Sequence, residues 1–396
     1  MLAERMKHLS GSKTTGMRNL ARKLRAEGVR VVNFAAGELD QDTSPSIKQA
    51  AKQAIDAGRT QYTDTLGIAE LRERLAQKVT RKTGIPYTVD EVGFSAGAKQ
   101  ALFHAMFVVF QPNDEVIIPA PYWVTFPEQV RLAGATPVFL PTQHNDFQID
   151  VDEFAKCITP RTRGIVLNTP HNPTGAVYSA RALEAIACLA IQHDLICIFD
   201  ECYEELVYAP AVHHTIVKLV PEMKGRTILV GSFSKTYCIA GWRAGVVAAP
   251  QPILKAMANL QSHTASNTCN IVQYAALAAL DPSNDAFVAG IRAQLCTQRA
   301  TALQLIGKIP GLSCVVPTGA FYLFPDVNSL LNKSFKGQRI GTVDRLAELL
   351  LEQAHIAIVP GSAFGADHYI RISYAIPAEE IVAGLTQLEQ FVRSLA

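Results

Sequence analysis

From about residue 90 onward, short apolar runs alternate with longer segments whose apolar positions recur every three to four residues. That rhythm predicts an α/β fold in which a mostly parallel sheet is flanked by helices. Strands are expected at 115–118, 136–140, 164–167, 195–199, 227–230 and 244–248, each running into a polar or glycine-bearing stretch. Helices are expected at 98–110, 179–193, 286–308 and 342–354. The last two lead into a tail with a fresh strand-turn rhythm, so a second, smaller domain is expected to begin near residue 290. The first 44 residues precede the sheet pattern, hold one helix at 13–27, and are expected to pack with that C-terminal part.

Open α/β sheets bind ligands in the crevice beyond the carboxyl ends of their strands. Asp200 and Ser232, each just after an apolar run, are therefore candidate site residues. No internal repeat and no long flexible linker interrupts the pattern.

Composition narrows the function. The 396 residues exceed one comfortable core, and 48% hydrophobic against 18% charged residues describes an ordinary globular chain. A formal charge of +2 with interspersed signs offers no footprint for nucleic acid or an anionic membrane, which leaves small molecules as the expected partners. The basic stretch from Lys7 to Arg30 is broken by Leu20, Leu24 and Val29 at helical spacing and reads as a solvated helix face. Eight cysteines, widely spaced and without a Cys-x-x-Cys pair, suggest reduced, buried thiols, and with no signal-like segment the cytoplasm is the expected compartment. Histidines such as His104, His193 and His355 lack metal-ligand spacing, so no metal is expected.

Four local patterns carry chemistry. Gly231-Ser232-Phe233-Ser234-Lys235-Thr236-Tyr237, followed by Gly241-Trp242-Arg243, places a lysine among hydroxyls and a guanidinium directly after a buried strand. Asp200 is followed three residues later by Tyr203; alone, such an aspartate also suits a helix N-cap. Asn168-Thr169-Pro170-His171-Asn172-Pro173-Thr174-Gly175 follows a strand and would otherwise be a plain turn. Ser95-Ala96-Gly97-Ala98-Lys99-Gln100 opens a helix with small residues, a possible anion cradle. Glu201, Glu204 and Glu205 read as ordinary helix charges.

Together these patterns resemble the class I/II aminotransferases, the fold-type I pyridoxal 5′-phosphate (PLP) enzymes, and within them the prokaryotic-type aspartate aminotransferases. The matching motifs run in family order from about Val32 to Tyr374. The resemblance implies a seven-stranded, mostly parallel sheet, a large PLP-binding domain at 45–289, and a smaller α+β domain built from 1–44 and 290–396. It makes Lys235 the Schiff-base lysine, whose chemistry needs a desolvated, electropositive pocket. Asp200 would keep the pyridine nitrogen protonated, and Tyr203 and Asn172 would meet the ring oxygen. Gly97, Ala98, Lys99, Ser232 and Arg243 would hold the phosphate, Trp123 would stack on the ring, and Tyr62 would reach the phosphate of a neighbouring subunit, so a homodimer with shared sites is implied. Arg371, in Tyr369-Ile370-Arg371-Ile372-Ser373-Tyr374, would grip the substrate α-carboxylate. Gly37 and the Gly319-Ala320-Phe321-Tyr322 segment would line the substrate pocket.

Two departures bear on the substrate: Leu39 and Gln41 replace a proline and an aromatic, and His171 stands where asparagine is frequent. Lys99 is the candidate for reading a distal carboxylate, which would select aspartate or glutamate in a ping-pong amino transfer to a 2-oxo acid. The alternatives are an aromatic or kynurenine-type aminotransferase, a PLP-dependent carbon–sulfur lyase, and a non-catalytic PLP-binding protein.

Overall fold

The structure is a computed structural model that describes Met6, Gly11 and residues 13–396. Its centre is a seven-stranded sheet of β1 (Val92–Ser95), β2 (Glu115–Ala120), β3 (Thr136–Pro141), β4 (Thr162–Asn168), β5 (Ile196–Asp200), β6 (Thr227–Ser232) and β7 (Gly245–Ala248). The spatial order is β1-β7-β6-β5-β4-β2-β3. Only β7 runs antiparallel to its neighbours; the other pairings are parallel.

Helices cover the sheet on both sides, which is why β2 is buried at every position and β5 at all but its first, and both read as largely continuous apolar runs rather than alternating ones. Six strands fall where the hydrophobic pattern puts them, within a few residues at each end. β1 escapes the pattern because it has four residues, one of them Gly93, whose missing side chain makes room for Leu66: a Cβ there would lie 2.9 Å from Leu66 Cδ2.

The expected helices are present as Ala98–Val109, Ala180–Gln192, Asp285–Ile306, Val343–Ala354 and Lys13–Ala26. Others, including Pro45–Asp56 and Ala69–Thr83, are not prominent in the sequence because Lys, Gln and Ala dilute their apolar stripes. Arg22, Lys23 and Arg25 are exposed, as a solvated helix face requires; Lys7 lies outside the described residues. Among the cysteines only Cys197 is buried, while Cys188, Cys269 and Cys296 are exposed, so the expectation of buried thiols holds for one of eight. Isolated thiols cost little at a surface.

The two chain ends meet. Val32–Asn33 pairs in parallel with Ile356–Ala357, Arg25 forms an ion pair with Glu380 at 3.3 Å, and Ser373 donates its backbone N–H to Phe34 at 2.9 Å. A second core gathers Phe34, Phe321, Tyr322, Ile372 and Leu385 around the short antiparallel strands β8 (Tyr322–Leu323), β9 (Val359–Pro360) and β10 (Ile370–Ser373). This layer brings β10 over the carboxyl ends of β4, β5 and β6.

Candidate active site

Sheet register sets the floor of the site. Asn168 at the end of β4 stands opposite Asp200 at the end of β5, and Ser232 ends β6 beside them. Asn168 is locked in place, donating from Nδ2 to the Asp200 carbonyl (3.2 Å) and accepting the backbone N–H of Asn172 (2.9 Å). The turn thus carries Asn172 to the same level.

These residues open into a cavity of about 490 Å³ whose wall includes Gly37, Trp123, Asn172, Asp200, Lys235 and Arg371. Tyr203, Ser232, Ala98, Lys99 and Arg243 line it as well. Lys235 donates from Nζ to the Gly37 carbonyl. Burial, helped by the positive charges of Arg243 and Arg371, pushes its ammonium down to about 8, the direction a nucleophilic lysine needs.

Asp200 is buried, and burial pushes its carboxyl up to about 6 even though Cys202 donates a backbone N–H to it at 3.0 Å. Tyr203 keeps its proton: burial and the neighbouring Tyr322 hold the phenol well above its ordinary range. Its hydroxyl lies 3.0 Å from that of Tyr322.

Arg371 is 3% exposed, and no acidic side chain among the described residues pairs with it. It is held by neutral acceptors, with Nη1 donating to Asn172 Oδ1 (3.0 Å) and Nη2 to the Ala35 carbonyl (3.2 Å), while Nε has no partner. A buried guanidinium without a counter-ion is costly. The arrangement suits an anion that arrives with the ligand.

At the opposite wall, Gly97 caps the helix Ala98–Val109 with φ +79°, a conformation that favours glycine. A Cβ on Gly245 would fall 2.5 Å from the Gly97 carbonyl carbon and 2.6 Å from Ala98 N, so Gly245 lets β7 approach directly beneath this turn. Arg243 bends over it, donating to the carbonyls of Ala240 (2.9 Å) and Ala96 (3.4 Å). Ser232 Oγ accepts the Ser234 N–H at 3.0 Å, which leaves its own hydroxyl hydrogen to donate. Helix N–H groups, a guanidinium and a hydroxyl converge as a phosphate-binding set would.

The same fold recurs in solved structures. An aspartate aminotransferase from Rhizobium meliloti superimposes with a TM-score of 0.95 at 36% identity, with all of both chains covered. The Thermus thermophilus aspartate aminotransferase with maleate gives 0.93 at 37% identity, covering 98% of this chain and 99% of that one. In sequence, a probable aspartate/prephenate aminotransferase from Aquifex aeolicus is 41% identical over all of this chain and 99% of its own length. The family model for aminotransferase class I and II matches residues 29–388.

The chain belongs to the class I and II aminotransferases.

It is a PLP-dependent transaminase acting on amino acids and 2-oxo acids. The cavity's groups fit that cofactor: a desolvated lysine, a buried carboxylate that has no cationic partner among the described residues, suited to a pyridine nitrogen, and a glycine turn under an arginine for a phosphate. In this aminotransferase Trp123 forms one side of the cavity, and the Lys99 ammonium lies 4.8 Å from its ring centroid.

Two expectations need correction. Glu201, expected to be a helix charge, lies in a turn with its side chain fully buried, accepting from Lys82 (2.7 Å), His213 (2.8 Å) and Thr215 (2.5 Å). Glu204 shares Lys82 at 2.8 Å and Lys78 at 3.1 Å. Lysines four residues apart on Ala69–Thr83 reach down to this turn, a long-range pairing that sequence spacing does not reveal. His171 and Leu39 do not line the cavity either: His171 is buried with Nδ1 2.7 Å from Thr174 Oγ1, and Leu39 packs on the second core.

Tyr62 also stands apart from its own cavity, 88% exposed. Tyr322 lines the cavity, as expected of the Gly319-Ala320-Phe321-Tyr322 segment, whereas Glu38 and Cys202 line it although no motif assigned them a role. The signal for Glu38 and Cys202 was position alone, since each adjoins a motif residue, Gly37 and Tyr203. Among the described residues, no helix is long and apolar enough to cross a membrane.

Proposed function

We propose that this aminotransferase takes the amino group from a dicarboxylic amino acid, aspartate or glutamate, and delivers it to a 2-oxo acid in a ping-pong cycle. The observation that carries the reading is the pairing of two cations in one cavity: Arg371, buried without a counter-ion, and Lys99 beside Trp123. A ligand with two carboxylates meets Arg371 with one and the Lys99 ammonium with the other. Relatives named aspartate aminotransferase in Geobacillus stearothermophilus (39% identical, all of both chains covered) and aspartate/prephenate aminotransferase in Aquifex aeolicus support it.

In this reading Ser232, Arg243 and the turn Gly97-Ala98-Lys99 hold the cofactor phosphate. Trp123 covers the ring, Asp200 keeps a proton on the ring nitrogen, and Tyr203 and Asn172 donate to the ring oxygen. PLP supplies an aldehyde carbon that condenses with amines and a ring that accepts an electron pair. Lys235, displaced by the incoming amine, receives the substrate α-proton at Nζ and gives it up again, which requires the neutral amine that burial favours. Arg371, fixed by Asn172 and the Ala35 carbonyl, orients the α-carboxylate so that this proton faces Lys235. The large unit is assigned to 45–289, and the smaller one to 1–44 with 290–396.

Tyr62 belongs to the same proposal. Its exposure suits insertion into a second copy's phosphate site, which makes the active unit a homodimer. The unpaired cysteines agree with a cytoplasmic setting.

The test is to follow the visible absorbance of the holoenzyme while aspartate, glutamate, aromatic and sulfur-containing amino acids are added in turn, beside Lys99→Met. Bleaching by the dicarboxylic substrates, reversed by a 2-oxo acid and selectively weakened in Lys99→Met, is the expected result. Bleaching by aromatic amino acids alone overturns the specificity. Continuous release of pyruvate and ammonia without an acceptor identifies a lyase, and no response to any amino acid identifies a non-catalytic binder.

A further inference from the structure

Tyr322 occupies a place that the reading above leaves without a role. It begins β8, is 1% exposed, lines the cavity, and makes two contacts that no other side chain combines among the contacts described above. Its hydroxyl is 3.0 Å from the Tyr203 hydroxyl, and its ring lies beneath the Arg371 guanidinium, 4.4 Å from Cζ to the ring centroid. One residue therefore touches both the phenol assigned to the cofactor and the cation assigned to the substrate.

We propose that Tyr322 is a positioning residue that sets the hydrogen-bond direction of Tyr203 with its hydroxyl and the seat of Arg371 with its ring. The proposal rests on the roles assigned above to Tyr203 and Arg371.

The hydroxyl argument is one of proton accounting. A phenol has one hydrogen to give. Both phenols are pushed above their ordinary range by burial and stay protonated, so when Tyr203 gives its hydrogen into the cavity, its oxygen is left to accept one. Tyr322 stands at hydrogen-bond distance to supply it. A donor that also accepts is polarised and becomes a stronger donor. Tyr322 thereby tunes the cofactor's ring oxygen through Tyr203 without touching it.

The ring argument is one of a missing counter-ion. With only neutral acceptors around it, Arg371 gains from the negative face of an aromatic ring, and Tyr322 supplies one at 4.4 Å with Phe364 at 5.2 Å. A cation held by faces and carbonyls stays oriented yet keeps its charge available to an incoming carboxylate. β8 and β10 are adjacent antiparallel strands, with Tyr322 opposite Ser373, so the stack is fixed by the sheet rather than by a loop.

The experiment compares Tyr322→Phe, Tyr322→Leu and Tyr203→Phe as holoenzymes, with two readouts: the pH midpoint of the cofactor's visible colour change, and the binding of succinate, an unreactive dicarboxylate. Tyr203→Phe should raise the midpoint, because the ring oxygen loses a donor to its anionic form. Tyr322→Phe should raise it by a smaller amount, a few tenths of a pH unit, and leave succinate affinity within about twofold because the ring remains. Tyr322→Leu should show the same midpoint rise and bind succinate roughly 2- to 30-fold more weakly. If Tyr203→Phe leaves the midpoint where it was, the role of Tyr203 fails and this inference falls with it. If Tyr203→Phe moves the midpoint and Tyr322→Phe does not, Tyr322 alone is misassigned. Equal succinate loss in Tyr322→Phe and Tyr322→Leu overturns the role of the ring. Should Tyr322→Leu not accumulate as folded protein, the comparison of Tyr322→Phe with Tyr203→Phe decides the proposal.

Discussion

Gly97 and Arg243 are fitted to each other so closely that a single methyl on Gly97 would lie 2.5 Å from Arg243 Nη2 and 2.9 Å from its Cζ. Gly97→Ala must therefore displace the guanidinium, and it also places a side chain at a φ of +79°, which costs about 1–2 kcal/mol. With charge-assisted bonds worth about 1.5–3 kcal/mol, PLP should bind roughly 10- to 100-fold more weakly. Equilibrium dialysis of the apoenzyme with PLP measures this, and unchanged affinity would remove Arg243 and Gly97 from the phosphate site.

The Lys235 amine gives a pH dependence with a definite sign. Its ammonium is lowered from 10.5 to about 8 by burial, so the reactive neutral form makes up half of the population near pH 8 and approaches its maximum about one pH unit higher. The rate at which apoenzyme captures PLP, followed by stopped-flow absorbance, should rise with a midpoint near pH 8 and level about one unit above it. A rate still climbing toward 10.5 would mean that the lysine is not desolvated.

Arg371 should not tolerate lysine. Lysine loses the planar fork and cannot serve Asn172, the Ala35 carbonyl and a carboxylate together. Arg371→Lys should lower kcat/KM by about 10- to 100-fold, the equivalent of one charged hydrogen bond. Asn172→Ala should also lower kcat/KM, by less, since the Ala35 contact to Arg371 remains. Steady-state kinetics with aspartate and 2-oxoglutarate distinguish the two.

Glu201 predicts a stability effect. Burial alone would push its carboxyl up, but Lys82 and His213 hold it below the ordinary carboxylate range. Removing it in Glu201→Ala leaves Lys82 only Glu204 and leaves His213 and Thr215 without their shared acceptor. Broken buried ion pairs cost about 3–5 kcal/mol, so the melting temperature should fall by several degrees. Because a carboxylate held low stabilises the fold above its unfolded pKa, the wild-type advantage should also shrink as pH drops through the acid range. Thermal unfolding of both proteins at neutral and acid pH checks the pair of claims.

Particular residues show how far the sequence reached. The strands ending at Asn168, Asp200 and Ser232 were legible because buried parallel strands are continuous apolar runs, and the polar residues after them mark the ligand crevice. Lys235, Arg243, Asn172 and Arg371 were legible through their motifs. Glu201 was misread because its partners Lys82 and His213 lie 119 and 12 residues away, and an acidic residue beside a strand end looks the same whether it is solvated or paired. Glu38 and Cys202 gave no signal of their own, being cavity residues because their neighbours are, and Tyr322 was legible as part of a pocket-lining segment but not as a partner of Tyr203 and Arg371.

The sequence by itself determined the α/β alternation, the family and with it the cofactor, and it singled out Lys235 as the lysine proposed to carry that cofactor, since each is written in local residue types at short spacing. Only the tertiary structure decided that Arg371 is buried without a counter-ion, that Gly245 lets β7 pass beneath the Gly97 turn, and that Tyr322 joins Tyr203 to Arg371. These are facts of distance and solvent exclusion between segments up to several hundred residues apart, and a chain acquires them only when its two ends fold back over the sheet.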